Sequence, residues 1–196
     1  MLQWMADKPK KVYPPIVRID REGVPIGPIT FKEGHRRMGG EYEQELFHST
    51  TNLLIYDTPL MERVLLQLRQ GVVGSGKWDA SAGGHLDWLV EENRPMTPEE
   101  CAQRELNEEL FSEKGIPDEL RLQACGSMWK RHDPNNQELT YLFRGIYPGP
   151  FNPNDEVADV QFVPFPGVLK DIYANPQNYT NNIRLCLERD WARVRK

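Results

Sequence analysis

Several features that would assign this chain to a specialised class are missing from its 196 residues. It has three cysteines and no Cys-x-x-Cys pair, so neither a disulfide framework nor a zinc site is predicted. No apolar run approaches the roughly 20 residues that a membrane helix needs. The first residues, MLQWMADKPKKVYPP, also lack the apolar stretch of a secretory signal. These absences predict a cytoplasmic protein that does not bind membranes.

An excess of positive charge is missing as well, since the formal net charge is -5 at pH 7. A basic surface is the electrostatic signature of nucleic-acid binding, so nucleic acid is not expected as a partner. A small, highly charged anion remains compatible with this chain if a metal ion bridges the two. Because no repeat or long linker divides the chain, we predict an N-terminal arm over residues 1–11 and one domain over residues 12–196.

The apolar patterns that are present alternate between strand and helix periods, which predicts a mixed α/β chain. The predicted strands lie in VYPPIVRID, FHSTTNLLIYD, RVLLQLRQ, LQACGSMWKR, ELTYLFRGIY and VADVQFVPF, and two closing helices lie in PGVLKDIYANP and NNIRLCLERDWARVRK. A further helix starts at TPEE, where Thr97 is a favourable N-cap, Pro98 suits the first turn and Glu100 completes a capping box. We predict that it runs to about Lys114 and ends at Gly115.

Three carboxylates crowd one side of this helix. At about 100° per residue, Glu105, Glu108 and Glu109 fall within an arc of about 100°, beside the apolar arc of Leu106 and Leu110. Like charges at this spacing repel each other, so the cluster is either a solvated acidic edge or a site for a hard cation such as Mg²⁺ or Mn²⁺. The glycine pair in WDASAGGH favours the cation, because glycine lets a backbone carbonyl approach a metal or phosphate closely.

Together, the glycine pair, the acidic stretch after it and REL-x-EE resemble the Nudix box, G-x5-E-x7-R-E-U-x-E-E-x-G-U, where U is apolar. The REL-x-EE half matches in full at Arg104, Glu105, Leu106, Glu108 and Glu109. The first half departs from the pattern, because twenty positions instead of fourteen separate Gly84 from Arg104. The segment LDWLVEENRPMT therefore carries about six extra residues.

Two positions of the box are changed by these departures. Its first Glu is Glu91, Glu92 or absent, and Phe111 replaces its second Gly. Other segments, namely RIDREGVPIGP, FHSTTNLLIYD, VLLQLRQ, GKWDASAGGH and FNPNDEVADVQFVPF, resemble the branch related to isopentenyl-diphosphate isomerase. The resemblance covers roughly residues 12–185. It implies the Nudix fold of class α/β (α+β), a mixed β-sheet sandwiched between α-helices with the box as a loop-helix-loop.

The resemblance also implies roles for the box residues. Glu105, Glu108 and Glu109 would bind the Mg²⁺ or Mn²⁺ that holds the substrate diphosphate, and Gly83 would offer its carbonyl to the metal. Arg104 would orient the neighbouring carboxylates through a bidentate pair, with an ordinary surface arginine as the alternative.

Further candidates flank the box. Glu156 lies where hydrolases of this family keep another acid, as metal ligand or general base, although one charge in a polar loop is the alternative. Arg69, at the end of a predicted strand, is a candidate phosphate contact or a rim arginine. Gly84 and His85 are candidate substrate contacts.

In the isomerase, the counterparts of His48 and His85 are metal ligands, together with a further His and two Glu. In this chain we align the further His with Glu41, and the two Glu with Asn136 and Glu138. With this ligand set incomplete, we interpret the two histidines as structural or substrate-facing.

The isomerase's catalytic Cys aligns with Gly83, and no other cysteine is expected nearby. Moving a proton across an alkene needs an acid and a base on opposite faces. The loss of the catalytic Cys therefore predicts that this chain has no isomerase activity. We therefore expect a divalent-metal-dependent hydrolase that cleaves a diphosphate linkage, in a nucleoside diphosphate derivative as the favoured small-molecule substrate. An isomerase-like enzyme and a non-catalytic nucleotide-binding or regulatory module are the alternatives. A homodimer is compatible with the resemblance.

Overall fold

A computed structural model describes residues 13–35, 46–70, 74–133 and 136–194. The predicted arm and Glu41 lie outside these ranges. None of the helices in these ranges has the length and apolar composition of a membrane span.

The described ranges form eleven strands, four α-helices and one 3-10 helix. The strands are β1 (Ile16–Ile19), β2 (Pro25–Ile29), β3 (Phe47–Tyr56), β4 (Arg63–Arg69), β5 (Trp78–Asp79), β6 (Ala82–His85), β7 (Trp88–Leu89), β8 (Arg94–Pro95), β9 (Gln123–Asp133), β10 (Asn136–Ile146) and β11 (Val157–Pro164). The α-helices are α1 (Phe31–Gly34), α2 (Pro98–Phe111), α3 (Gly167–Ala174) and α4 (Asn181–Val194), and the 3-10 helix is Pro176–Asn178.

Strand β3 lies at the centre of a mixed sheet. One of its edges pairs in parallel with β10 along the whole strand, and β9 continues the sheet beyond β10. Its other edge pairs in turn with β1, β6 and β4, of which β4 meets it at the single pair Tyr56 and Val64. The short strand β5 pairs with β4, and β6 pairs with β3. Between β5 and β6, just before the glycine pair, the chain therefore moves from the edge of β4 to the edge of β3.

Helices cover both faces of this sheet, as the resemblance implied. Leu53 of β3 belongs to an apolar cluster with Leu106 and Leu110 of α2. The next residue, Leu54, belongs to a second cluster with Ile183, Cys186 and Leu187 of α4 and with residues of α3. Since successive side chains of a strand point to opposite faces, α2 packs on one face and α3 with α4 on the other.

The start of α2 confirms the predicted capping box. The side chain of Thr97 accepts from the backbone N–H of Glu100 at 3.2 Å, and the Glu100 carboxylate accepts from the N–H of Thr97 at 2.8 Å. The predicted end at about Lys114 is wrong, because the helix stops at Phe111 and Ser112 adopts a left-handed φ of 46°.

The early end of α2 has a physical cause in a distant segment. The backbone N–H groups of Asn152 and Asn154 donate to the carbonyls of Leu110 and Glu109 at 2.9 Å and 3.2 Å. Carbonyls at a helix end need outside donors, and this loop supplies two of them. The same contacts hold the loop before β11, which carries Glu156, at the end of the helix.

The six extra residues of the box form the hairpin β7–β8 in front of α2. Its second strand contributes Arg94, which donates to both carboxylate oxygens of Glu100 at 2.9 Å and 2.8 Å and to Glu92 at 2.6 Å. Glu91 and Glu92 are exposed in the hairpin turn. The hairpin thus accommodates the insertion without interrupting the helix.

Candidate active site

Of the three clustered carboxylates of α2, two are buried. Glu105 is 9% exposed and Glu109 is 7% exposed, whereas Glu108 is partly buried. The carboxylate of Glu109 accepts hydrogen bonds from the backbone N–H of Gly83 at 2.9 Å and from Gln67 Nε2 at 3.2 Å. The cluster therefore faces strand β6 and is not a solvated helix edge.

The glycine pair is explained by close packing on both sides of β6. A Cβ atom on Gly84 would lie 2.2 Å from Glu105 Oε1. A Cβ atom on Gly83 would point the other way and lie 2.6 Å from the carbonyl oxygen of Thr51 and 2.7 Å from Asn52 Oδ1. These three separations are far shorter than van der Waals contact, so only glycine fits at these two positions of β6.

Burial makes the charged forms of these acids unfavourable. It raises the pKa of Glu105 to about 7, against the lowering effect of Arg104. Burial, followed by the nearby charge of Glu105, raises the pKa of Glu109 to about 8. With their pKa values raised in this way, Glu105 and Glu109 can both be ionised at neutral pH only if a positive charge other than Arg104 lies beside them. A divalent cation fits this donor set, because carboxylate oxygens are the ligands that Mg²⁺ and Mn²⁺ prefer.

Arg104 connects this cluster to the strand. Its Nη2 donates to Glu105 Oε1 at 2.6 Å and to the carbonyl of His85 at 2.9 Å, while Nη1 donates to Asp87 Oδ2 at 2.6 Å. The interpretation as an ordinary surface arginine is wrong, since its side chain is only 27% exposed. Asp87 was missed in the sequence because it precedes the insertion, whereas the box pattern directs attention to Glu91 and Glu92.

The two flanking candidates also approach the cluster. Glu156 is exposed, and its charge contributes to raising the pKa of Glu105 after the effects of burial, Glu108 and Asp87. Arg69 pairs with Asp79 at 3.3 Å, and its charge opposes the rise in the pKa of Glu109. The charges of Glu156 and Arg69 thus act on Glu105 and Glu109, two members of the carboxylate cluster.

A second cluster, His35, His48, His85 and Glu138, lies on the other face of β6. One ligand atom from each residue lies within 4.8 Å of every other. The sequence interpretation placed Glu41 at the position of the third histidine; Glu41 lies outside the described residues, and α1 brings His35 to this place. The helix was not predicted, and its four residues begin with a capping box in which Thr30 caps and Glu33 reciprocates. A turn this short leaves too little periodic pattern to recognise in the sequence.

The histidine cluster also fits a divalent cation. His35 Nδ1 lies 2.8 Å from the carbonyl of Phe31, which assigns its proton to that nitrogen and leaves Nε2 facing His85 Nε2 at 3.2 Å. Neither ring nitrogen of the buried His48 has a hydrogen-bond partner among the described residues, and Nε2 lies 3.7 Å from Glu138 Oε1. Burial lowers the pKa of His85 to about 3, which keeps it neutral. Three imidazoles and one carboxylate form a typical set of ligands for a transition metal.

Strand β6 separates the two clusters. His85 pairs with Thr50 and Gly84 with Thr51, so consecutive residues of β6 face opposite sides. Cys101 of α2 corrects the expectation that no cysteine lies near, since its Sγ is 3.2 Å from the carbonyl oxygen of His85. It also contacts Thr51 Oγ1 at 3.3 Å, on the α2 side. Its thiol therefore lies across the strand from the histidine ligand atoms and does not replace a cysteine at position 83.

The fold and the carboxylate cluster agree with a sequence comparison. The profile of the NUDIX domain matches residues 46–182, well over half of the chain, and the chain therefore belongs to the Nudix family. This match confirms the resemblance drawn from the box, together with the mixed α+β Nudix fold and the enzyme class of a Nudix hydrolase.

Individual relatives are more distant. The isopentenyl-diphosphate Delta-isomerase of Rhodobacter capsulatus is 28% identical over 174 residues, which cover 85% of this chain and 88% of the isomerase. The crystal structure of DR0079 from Deinococcus radiodurans matches with a TM-score of 0.66 at 15% identity, over 89% of this chain and 97% of the other. The NUDIX domain of NrtR from Shewanella oneidensis, solved in complex with ADP ribose, matches with a TM-score of 0.54 at 18% identity, over 75% and 88%.

Proposed function

We propose that this protein is a divalent-metal-dependent hydrolase that cleaves the diphosphate linkage of a nucleoside diphosphate derivative. The observation that carries the proposal is the pair of buried carboxylates, Glu105 and Glu109, held against a strand where only glycine fits. Such a pair has no structural advantage without a cation, because burying like charges is unfavourable.

Each residue of the site has a role in this reaction. A divalent cation bound by Glu105, Glu108 and Glu109, with the carbonyl of Gly83, would neutralise the diphosphate charge and polarise a phosphoryl oxygen. Arg104 is a positioning residue, since one nitrogen of its guanidinium donates to Glu105 and another donates to Asp87. These contacts fix the direction in which the Glu105 oxygens point.

The remaining roles belong to the two flanking residues. We assign the phosphate contact to Arg69, because its charge acts on Glu109 and its pairing with Asp79 limits its movement. We assign the general base to Glu156, because Glu105 and Glu109 are buried whereas Glu156 is exposed. An exposed carboxylate beside the cluster accepts a proton from an attacking water more readily than a buried one.

The substrate class rests on chemistry and on one relative. A cation bound by the carboxylates can also bind the negatively charged oxygens of two adjacent phosphates, and it would then bridge protein and substrate. The NrtR domain with the same fold binds ADP ribose, a nucleoside diphosphate derivative. We therefore place compounds of this kind first among the substrates.

Turnover is expected with at least one nucleoside diphosphate derivative, and only when Mg²⁺ or Mn²⁺ is present. The reason is that the carboxylate cluster alone offers no positive charge to the phosphates. Incubating the protein with a panel of such compounds, and identifying products by mass, measures this directly. Turnover that persists in excess chelator would contradict the role of the metal, and no turnover on a broad panel would favour the non-catalytic nucleotide-binding alternative.

We further propose that His35, His48, His85 and Glu138 bind a second divalent cation. The orphaned nitrogens of His48 support this, because buried polar atoms without partners are unfavourable unless a ligand satisfies them. The same cluster keeps isomerase chemistry as the second candidate function, since equivalent residues resemble the metal ligands of the isomerase. The residue at position 83 decides between them. Gly83 supplies no acid or base, and Asn52 Oδ1 occupies the space beside it.

No double-bond isomerisation of isopentenyl diphosphate is therefore expected. A proton must be added on one face of the alkene and removed from the other, and Gly83 leaves one of these roles unfilled. Incubation in heavy water with either metal, followed by mass spectrometry of the diphosphate, detects even slow exchange. Deuterium uptake that depends on the pure protein would show that the isomerase reading is correct.

A further inference from the structure

Lys130 is a buried lysine that the proposed hydrolysis does not use. Its side chain is 2% exposed, and it lies on β9 directly opposite Glu138 of β10. Paired residues on adjacent strands point to the same face, so Lys130 lies beside the histidine cluster. Lysine is seldom fully buried, because removing an ammonium from water is costly. Its presence at this point therefore calls for an explanation.

The surroundings of Lys130 hold its side chain in place. Its Nζ donates to Asn182 Oδ1 of α4, and Asn182 Nδ2 donates in turn to Asn52 Oδ1 at 2.6 Å and Asp79 Oδ1 at 3.0 Å. Burial alone would raise the pKa of Glu138, but the nearby imidazole of His48, whose Nε2 lies 3.7 Å from Glu138 Oε1, and the charge of Lys130 hold it well below its usual value. Glu138 is thus influenced by the ammonium on one side and by the histidines on the other.

We propose that Lys130 sets the cation selectivity of the histidine cluster, so that the cluster takes a cation that bonds strongly to nitrogen, such as Zn²⁺ or Co²⁺, and rejects the harder Mg²⁺ and Mn²⁺. This inference rests on the proposed second metal site. It gives the two clusters different cations, with the hard cation bound by the carboxylates of α2.

The physical basis is the fixed charge around each cluster. Imidazoles that bind a metal are neutral, so Glu138 and Lys130 together leave the histidine cluster without net charge. Hard cations are bound mainly by charged oxygens, whereas Zn²⁺ and Co²⁺ gain much of their affinity from imidazole nitrogen. A neighbouring ammonium repels every divalent cation and so lowers the affinity of the cluster for each of them. Only cations that bond strongly to imidazole nitrogen offset this repulsion and still bind. The carboxylates Glu105, Glu108 and Glu109 lie across β6, away from this ammonium.

The test measures metal affinity on metal-free protein in a Glu109→Gln background, which removes the carboxylate site from the titration. Equilibrium dialysis with metal analysis gives the dissociation constants of Zn²⁺ and Mn²⁺. The background protein should bind one Zn²⁺ per chain tightly and Mn²⁺ weakly, and adding His48→Ala should abolish the Zn²⁺ binding. Adding Lys130→Met should tighten Mn²⁺ binding at least tenfold, whereas Lys130→Arg, which keeps the charge, should not.

Unchanged Mn²⁺ affinity in a folded Lys130→Met protein would overturn the inference. Asn182→Asp is the second variant, because a carboxylate against Lys130 offsets its charge without removing the side chain, and it should tighten Mn²⁺ binding in the same way. Thermal unfolding of each metal-free variant confirms that it is folded. Absence of Zn²⁺ binding that depends on His48 would overturn both this inference and the second metal site. It would leave the hydrolysis proposal untouched, since that proposal is tested by the substrate panel.

Discussion

Glu109→Gln is expected to abolish metal-dependent turnover while leaving the metal-free protein at least as stable as the wild type. Burial and the charge of Glu105 raise the pKa of Glu109 to about 8, so the folded, metal-free protein favours the protonated form of this carboxyl. Glutamine is its neutral counterpart in size and shape. It lacks the second oxygen that a cation would bind.

The size of the effect follows from the position of Glu109. Even partners that only orient a metal ligand contribute about 10–100-fold to activity or metal affinity, so loss of a ligand should reduce kcat/KM by about 100-fold or more. Wild-type protein should gain about 2.7 kcal/mol of stability from Mg²⁺ at 100 times its dissociation constant, by mass action. Glu109→Gln should show almost none of this gain. Activity assays and thermal unfolding with and without Mg²⁺ measure both effects.

Glu99→Gln is the matched control, because it makes the same chemical change on the same helix at an exposed position. It should keep both the turnover and the Mg²⁺-dependent stabilisation. Full activity in Glu109→Gln, with a normal response to Mg²⁺, would show that the buried carboxylates bind no catalytic cation.

The features that could be predicted from the sequence are those encoded by neighbouring residues. The capping box at Thr97 and the arc that carries Glu105, Glu108 and Glu109 depend on spacings of three and four residues. The end of α2 could not be predicted in this way. It depends on the backbone of Asn152 and Asn154, some forty residues further along the chain.

The missed members of the two clusters have the same explanation. Asp87 meets Arg104 because β6 and α2 pack together, and His35 meets His85 because a four-residue helix turns the chain back. Lys130 and Glu138 become neighbours through strand pairing, where register decides which side chains meet. Contacts of this kind arise from tertiary structure, and no single segment of the sequence carries their pattern.

Gly84→Ala is expected to remove most of the activity although it adds only one methyl group. The new Cβ would lie 2.2 Å from Glu105 Oε1 and 2.4 Å from Cδ, so the carboxylate must move away. Its ion pair with Arg104 Nη2, now 2.6 Å long, would then be lost. Because the obstacle is the end of a flexible side chain, the fold should lose only about 1–3 kcal/mol, the usual cost of overpacking. Turnover should fall by about 100-fold or more, as for loss of a metal ligand.

Two further variants separate this effect from a general loss of stability. Gly167→Ala, at the start of α3, is the matched control, because its Cβ would meet only Pro164 Cβ at 3.8 Å, an ordinary contact. It should keep wild-type activity and unfold at the same temperature or higher. The double variant Gly84→Ala with Glu105→Asp shortens the displaced side chain by one methylene and should be more active than the sum of the two single losses predicts. If the two losses simply add, the methyl group does not act through Glu105, and the close packing of β6 against that carboxylate is not what positions it.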